Sequence, residues 1–244
     1  MRRLITSAGR RLLLSFLSQR TATVLRYDLY FLRLRAGNAL LRRRARLRAD
    51  LARRGSPLFL NLGSGSLGLA DPRWLNVDAR PDQNVAYLLD FTKGWPLPDS
   101  RFDGIFCEHV FEHFDPAEGA HVLRECFRVL KAGGGLRVVV PDGERILKSY
   151  AADPASLLEH RATETGCAME AVNSFFRQEY EHQCIYDFQY LEYRLREAGF
   201  ERIAKVAFGE GALREIIIDD AGYAWESLYV EAFKPRRSES DAGQ

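Results

Sequence analysis

The chain has 244 residues, 46% of them hydrophobic, enough to bury a full core in one domain with an appendage. Ordinary aromatic (11%) and charged (28%) contents exclude a fibrous or disordered protein, and no run approaches the roughly 18 apolar residues of a membrane span. The net charge of +2 conceals a division: residues 1–54 carry fifteen Arg against Asp28 and Asp50, a balance of +13, which leaves −11 on the remainder.

Residues 1–54 contain no Pro, and Leu25, Leu29, Leu32, Leu40, Leu47 and Leu51 recur at helical spacing. This predicts one or two amphipathic helices ending near Gly55-Ser56-Pro57. From Pro57 to Lys234, short apolar runs alternate with helical stretches. Leu58–Leu62, Leu75–Val77, Val85–Leu89 and Gly104–Cys107 read as strands. Pro116–Leu130 reads as a helix with Asp115 at its N-cap, Pro116 at its first position and Gly133 past its end. Leu136–Val140 is a β-branched strand. Asp187 caps a helix to about Ala198 that Gly199 stops, and Arg202–Phe208 and Ser227–Phe233 are the last two strands. The pattern predicts an α/β fold: a Rossmann-like, mostly parallel sheet with helices on both faces and an N-terminal helical extension. Residues 149–186 break the rhythm and read as an inserted helical lid. The expected organisation is a basic arm over 1–55, a domain over 56–235 and a disordered polar tail over 236–244.

Cys107, Cys126, Cys167 and Cys184 form no Cys-x-x-Cys pair, and no His, Cys or Asp grouping has metal-ligand spacing. Reduced thiols, a cytoplasmic protein and no metal are therefore expected. The first residues lack the compact apolar stretch and cleavage site of a secretory signal.

Asn61-Leu62-Gly63-Ser64-Gly65-Ser66-Leu67-Gly68 places glycines at GxGxxG spacing directly after a strand, where they permit a tight turn and a close approach to a ligand. Asp78 ends the next strand, where a carboxylate can accept ribose hydroxyls, and Asp90 ends the third, where it can meet an adenine amine.

Several segments then resemble the methyltransferase-11 type of class I S-adenosylmethionine-dependent enzymes. They are Leu60 to Gly65, Trp74 to Asp78, Pro96 to Asp103, Glu108-His109-Val110-Phe111-Glu112-His113, Leu130 to Leu136 and Val140-Pro141-Asp142. The resemblance implies a seven-stranded sheet with its last strand antiparallel. It implies S-adenosylmethionine as cofactor, held by Asn61, Gly63, Ser64, Gly65, Asp78, Asp90, Phe91, Glu108 and His109. The chain departs from the pattern at Asn61, where an acid is common. It departs again in the fifteen positions from Gly63 to Asp78, which leave room for only a very short first helix.

Methyl transfer from a sulfonium depends on holding a nucleophile in line, and a hydroxyl acceptor needs a base. His109, His113 and His182 are the candidates; His121 and His160 read as helix or surface residues. A small-molecule, sugar or lipid-linked acceptor methylated at oxygen is expected. The same glycines and ribose acid suit an NAD(P)-dependent oxidoreductase, against which the Glu108–His113 segment and the Lys131–Gly135 turn stand. Asn61 and the short crossover also leave open a catalytically inactive scaffold. The Arg-rich arm admits three readings: a solvated helix pair, an interfacial helix on an anionic membrane at its inner face, or an RNA-binding arm.

Overall fold

The computed structural model describes residues 18–178 and 181–236, so the expectations for residues 1–17 and for the tail beyond 236 lie outside the described residues. Two compact units divide between Arg44 and Ala45.

In the first unit, helix α1 (Gln19–Leu40) opens at Ser18, whose Oγ accepts the backbone N–H of Thr21. No helix among the described residues is long and apolar enough to cross a membrane. Helix α2 (Arg43–Arg53) begins at the junction. The domain boundary, expected at residue 55, falls earlier because Leu47 and Leu51 are buried in the core of the second unit.

The second unit is built on seven strands: β1 (Phe59–Leu62), β2 (Trp74–Asp78), β3 (Tyr87–Leu88), β4 (Phe102–Glu108), β5 (Leu130–Pro141), β6 (Glu201–Val206) and β7 (Ser227–Phe233). Their order is β3-β2-β1-β4-β5-β7-β6. β1 to β5 pair in parallel, and β7 runs antiparallel between β5 and β6. β1 and the first four residues of β2 are buried, as expected of parallel strands covered on both faces.

Alternation along the strands makes two cores. Leu60, Leu62, Ile105, Cys107, Val138 and Val140 face α2, α3 (Pro116–Val129) and α7 (Phe188–Glu197). Phe59, Phe106 and Val139 face the other way, and there Ile216, Leu213 and Ile218 of the β6–β7 connection cover them. The β6–β7 connection over this face includes the 3-10 turn Arg214–Ile216, and the short β1–β2 crossover holds a single 3-10 turn, Gly65–Leu67.

α3 starts as predicted: Asp115 accepts the N–H groups of Ala117 and Glu118, and Glu118 reaches back to the Asp115 N–H. Its expected stop differs. The helix ends at Val129 and the chain enters β5 at once, leaving Gly133 inside that strand with φ +80°. The helical stretch expected from residue 149 is preceded by a helix that starts at Gly143, where Asp142 caps it by accepting the Arg145 N–H. α4 (Gly143–Ala152), α5 (Ser156–His160) and α6 (Ala168–Arg177) enclose their own small core of Ile146, Leu157, Ala171, Val172 and Phe175.

Candidate active site

The exits of β1, β2 and β4 lie side by side, since Leu62 pairs with both Val77 and Cys107. Carboxyl ends of adjacent parallel strands are where open α/β sheets bind ligands. At the β1 exit Gly63 and Gly65 have φ of +74° and +48°, a conformation most side chains avoid. They differ in surroundings: a Cβ on Gly63 would lie 2.2 Å from Val110 Cγ2, whereas one on Gly65 would meet nothing within 4 Å. The Gly65 N–H donates to Asp78 Oδ2 at 2.8 Å, and the Arg80 N–H donates to the other carboxylate oxygen at 2.7 Å. Asp78 therefore braces the glycine turn from the end of β2. Between the glycines, the Ser64 hydroxyl is buried without a hydrogen-bond partner among the described residues. An open cradle at Gly65, an orphaned hydroxyl and a carboxylate at the next strand end fit a nucleoside ligand carrying several polar groups.

The remaining residues expected at the cofactor stand as follows. Asn61 is buried, and its Nδ2 donates to Asn76 Oδ1 at 3.3 Å; Asn76 in turn holds Leu69 and Asn84 backbone, so the pair ties β1 to the β2 loop. Asp90 is buried and accepts both the N–H and the hydroxyl of Thr92. The Phe91 ring packs edge-on against Trp95 and Phe114 in the core, which gives it a packing task.

At the β4 exit, His109 has φ +51°. Its Nε2 lies 2.9 Å from Ser227 Oγ and its Nδ1 3.1 Å from Glu112 Oε1. Tyr223 covers the ring, with centroids 4.3 Å apart. Burial lowers the basicity of His109, but contact with Glu112 and the charges of Glu226 and Glu108 outweigh it, and the pKa is raised. Burial raises Glu108 as well, although its Oε1 accepts the Asp220 N–H.

His113 and His182 do not face Ser227 with His109. They meet each other, with ring centroids 5.0 Å apart. Burial is the main cause of a lowered His182 pKa. His121 lies within α3, and His160, expected as a plain surface residue, stacks on Trp225 at 3.7 Å. Glu112 falls in the Glu108–His113 segment of the resemblance without a role of its own, and Tyr223, Asp220 and Ser227 carry no assignment from the sequence. Glu112 had a signal in its spacing three residues after His109, while the other three reach the site through the β6–β7 connection and leave no local trace.

Residues 72–138 match the family model described as a methyltransferase domain. No curated protein sequence matches the chain. Similar solved structures include an S-adenosylmethionine-dependent methyltransferase from Archaeoglobus fulgidus, 19% identical over 85% of this chain and 99% of that one, with a TM-score of 0.48. Human N-acetylserotonin methyltransferase, solved with S-adenosylmethionine, is 17% identical over 77% of this chain and 51% of its own, with a TM-score of 0.44. A phosphoethanolamine N-methyltransferase of Haemonchus contortus is 13% identical over 80% and 53%, with a TM-score of 0.44. The matched segment, a methyltransferase domain by its family model, runs from β2 into β5, around the strand ends where the glycine turn and Asp78 meet.

Proposed function

We propose that the enzyme methylates an oxygen of a small-molecule, sugar or lipid-linked acceptor, with His109 as the base. S-adenosylmethionine, when bound, supplies an electrophilic methyl group. Ser64, Gly65 and Asp78 hold the cofactor, with Glu108 at the methyl end of the crevice. The observation that carries the reading is the chain Glu112–His109–Ser227. The negative charge of Glu112, 3.1 Å from His109 Nδ1, favours the proton on that nitrogen, so Nε2 presents its lone pair to the Ser227 hydroxyl at 2.9 Å. As the acceptor hydroxyl attacks, its proton passes to Ser227 Oγ while the Ser227 proton passes to His109 Nε2. A base of raised pKa suits an alcohol, whose proton must be taken as charge develops. The test uses 13C-methyl-labelled S-adenosylmethionine with fractionated metabolite, glycan and lipid extracts. The carbon shift of the labelled product distinguishes methyl on oxygen from methyl on nitrogen or sulfur. An N-methyl or S-methyl product would overturn the assignment.

A second reading concerns the arm. Leu25, Leu29, Leu32 and Leu40 are all exposed on α1, three of them at positions i, i+4 and i+7, beside Arg26 and Arg33. An exposed apolar stripe flanked by arginines favours peripheral contact with an anionic membrane, and with it a lipid-linked acceptor. The full chain should pellet with anionic vesicles at low salt and be released at high salt. Failure to bind them at low salt would exclude this reading.

A further inference from the structure

Glu112, which faces His109 on one side, also borders two histidines that the proposed methyl transfer does not use. Glu112 and His113 belong to the 3-10 turn Phe111–His113 after β4, and His182 lies on the segment between α6 and α7. One candidate ligand atom from each of the three lies within 4.8 Å of those of the other two.

The histidines are held in the form that binds metal. His113 Nδ1 is 3.1 Å from the Glu181 carbonyl, and His182 Nδ1 is 2.8 Å from the Phe175 carbonyl. A carbonyl can only accept, so each Nδ1 carries the proton and each Nε2 a lone pair. Metal-ligating histidines are oriented in this way, by a carbonyl or carboxylate on the far nitrogen. The rings stand at 80° to each other, which is not a stacking arrangement.

Glu112 supplies an independent observation. It is 2% exposed, and neither carboxylate oxygen receives an aligned hydrogen bond from the described residues. His109 makes an ion-pair contact with Oε1 only. A carboxylate buried with so little compensation is costly, and a cation on Oε2 would offset that cost. The backbone frame is already closed, since the N–H groups of Gln183 and Cys184 both donate to the Glu112 carbonyl, at 2.7 and 3.2 Å.

We propose that Glu112, His113 and His182 form a binding site for one divalent transition metal of the zinc class, with a remaining position open to water. Two imidazoles and one carboxylate are a three-ligand set that leaves such an opening. Imidazole donors select zinc, cobalt, nickel or copper over magnesium and calcium. The ion would join the β4 exit to the chain just after the helical insertion, fixing the insertion at the edge of the crevice. Local spacing gave no hint of a metal because His113 and His182 stand far apart in sequence and meet only in the fold.

The test is made on the full chain, freed of metal by a chelator, without cofactor or acceptor, so its outcome does not depend on the acceptor chemistry proposed above. Cobalt(II) is titrated and followed by its visible absorption, and zinc(II) and magnesium(II) by calorimetry. One equivalent of cobalt should bind and be displaced by zinc, with magnesium giving no saturable heat. His113→Gln and His182→Gln should each weaken binding about 100-fold, the upper end of what even a supporting partner of a ligand contributes. His160→Gln, outside the cluster, should leave binding unchanged. No saturable binding of cobalt or zinc, or full affinity in both variants, would overturn the site. Should a variant fail to fold, X-ray absorption of the zinc-loaded native chain decides. A nitrogen and oxygen shell with imidazole scattering supports the site, and sulfur neighbours refute it.

Discussion

Alanine at Gly63 and at Gly65 should separate a glycine needed for packing from one needed for the ligand. Both have positive φ, so alanine costs about 1–2 kcal/mol of backbone strain at either position. At Gly63 the new methyl would also lie 2.2 Å from Val110 Cγ2, and overpacking of this kind costs about 1–3 kcal/mol more. Gly63→Ala should therefore lose about 2–5 kcal/mol of stability, a fall in Tm of roughly 10 °C for a chain of this size. Gly65→Ala meets no atom within 4 Å and should lose only the strain term. Its methyl would instead enter the cradle beside Ser64 and Asp78. If the cofactor lies there, a similar overpacking of about 1.5–3 kcal/mol weakens S-adenosylhomocysteine binding about 10- to 100-fold. Urea unfolding measures the first effect and calorimetric titration the second. Undiminished affinity in Gly65→Ala would refute the cradle, and undiminished stability in Gly63→Ala would refute the packing argument.

Other consequences follow from single contacts. His109→Gln should lower kcat by about 10²–10⁴-fold while S-adenosylhomocysteine affinity stays within twofold, since the base acts on the acceptor; equal losses in both would indicate a structural part only. Asp115→Ala removes an N-cap that accepts two backbone N–H groups and should cost about 1 kcal/mol in chemical denaturation. In the native protein Cys167, which is exposed, should react first with a thiol reagent, while Cys107 and Cys126, buried and pushed up in pKa by desolvation, should react only on unfolding. Rapid native modification of Cys107 would show that the β4 strand opens.

What was legible in the sequence was local. The β1 strand with its glycine exit, the Asp115-Pro116 and Asp187 helix starts and the final strand all declare themselves through neighbours a few positions apart. The short crossover after Gly63 was legible too, because fifteen positions cannot hold two strand ends and a full helix. The misplaced features depend on partners distant in sequence. Leu47 and Leu51 repeat like the arm leucines before them, and only the core they enter assigns α2 to the domain. Gly133 has the form of a helix stop, yet β4 already captures Leu130 opposite Phe102, so the helix ends earlier. The site divides in the same way: Gly63, Gly65 and Asp78 follow from one strand–turn–strand pattern. The setting of His109 needs Ser227, more than a hundred positions away, and Tyr223 from a connection with no regular pattern.

That connection is held by a residue the sequence presents as an interruption in a β-branched strand. Arg137 is fully buried in β5, on the face opposite the main helices. Its Nε and Nη2 bind the two Asp219 oxygens at 2.7 and 2.5 Å, and its Nη1 lies 3.2 Å from Glu231 Oε1. Asp219 precedes Asp220, whose N–H meets Glu108, and Tyr223, which covers His109. The guanidinium thus fixes, from the opposite face of the sheet, the connection whose Tyr223 covers His109, the proposed base. Removing it by Arg137→Ala strands two buried carboxylates and should cost about 3–5 kcal/mol. Arg137→Lys is the sharper experiment, because a lysine keeps the charge but cannot supply the planar fork to Asp219. It should loosen residues 219–223, let water reach His109 and lower kcat, with S-adenosylhomocysteine affinity unchanged because the glycine turn lies on other strands. Wild-type kcat in a folded Arg137→Lys protein would show that the cover needs only the charge. A parallel loss of cofactor affinity would show that the strain spreads through the sheet rather than along the connection.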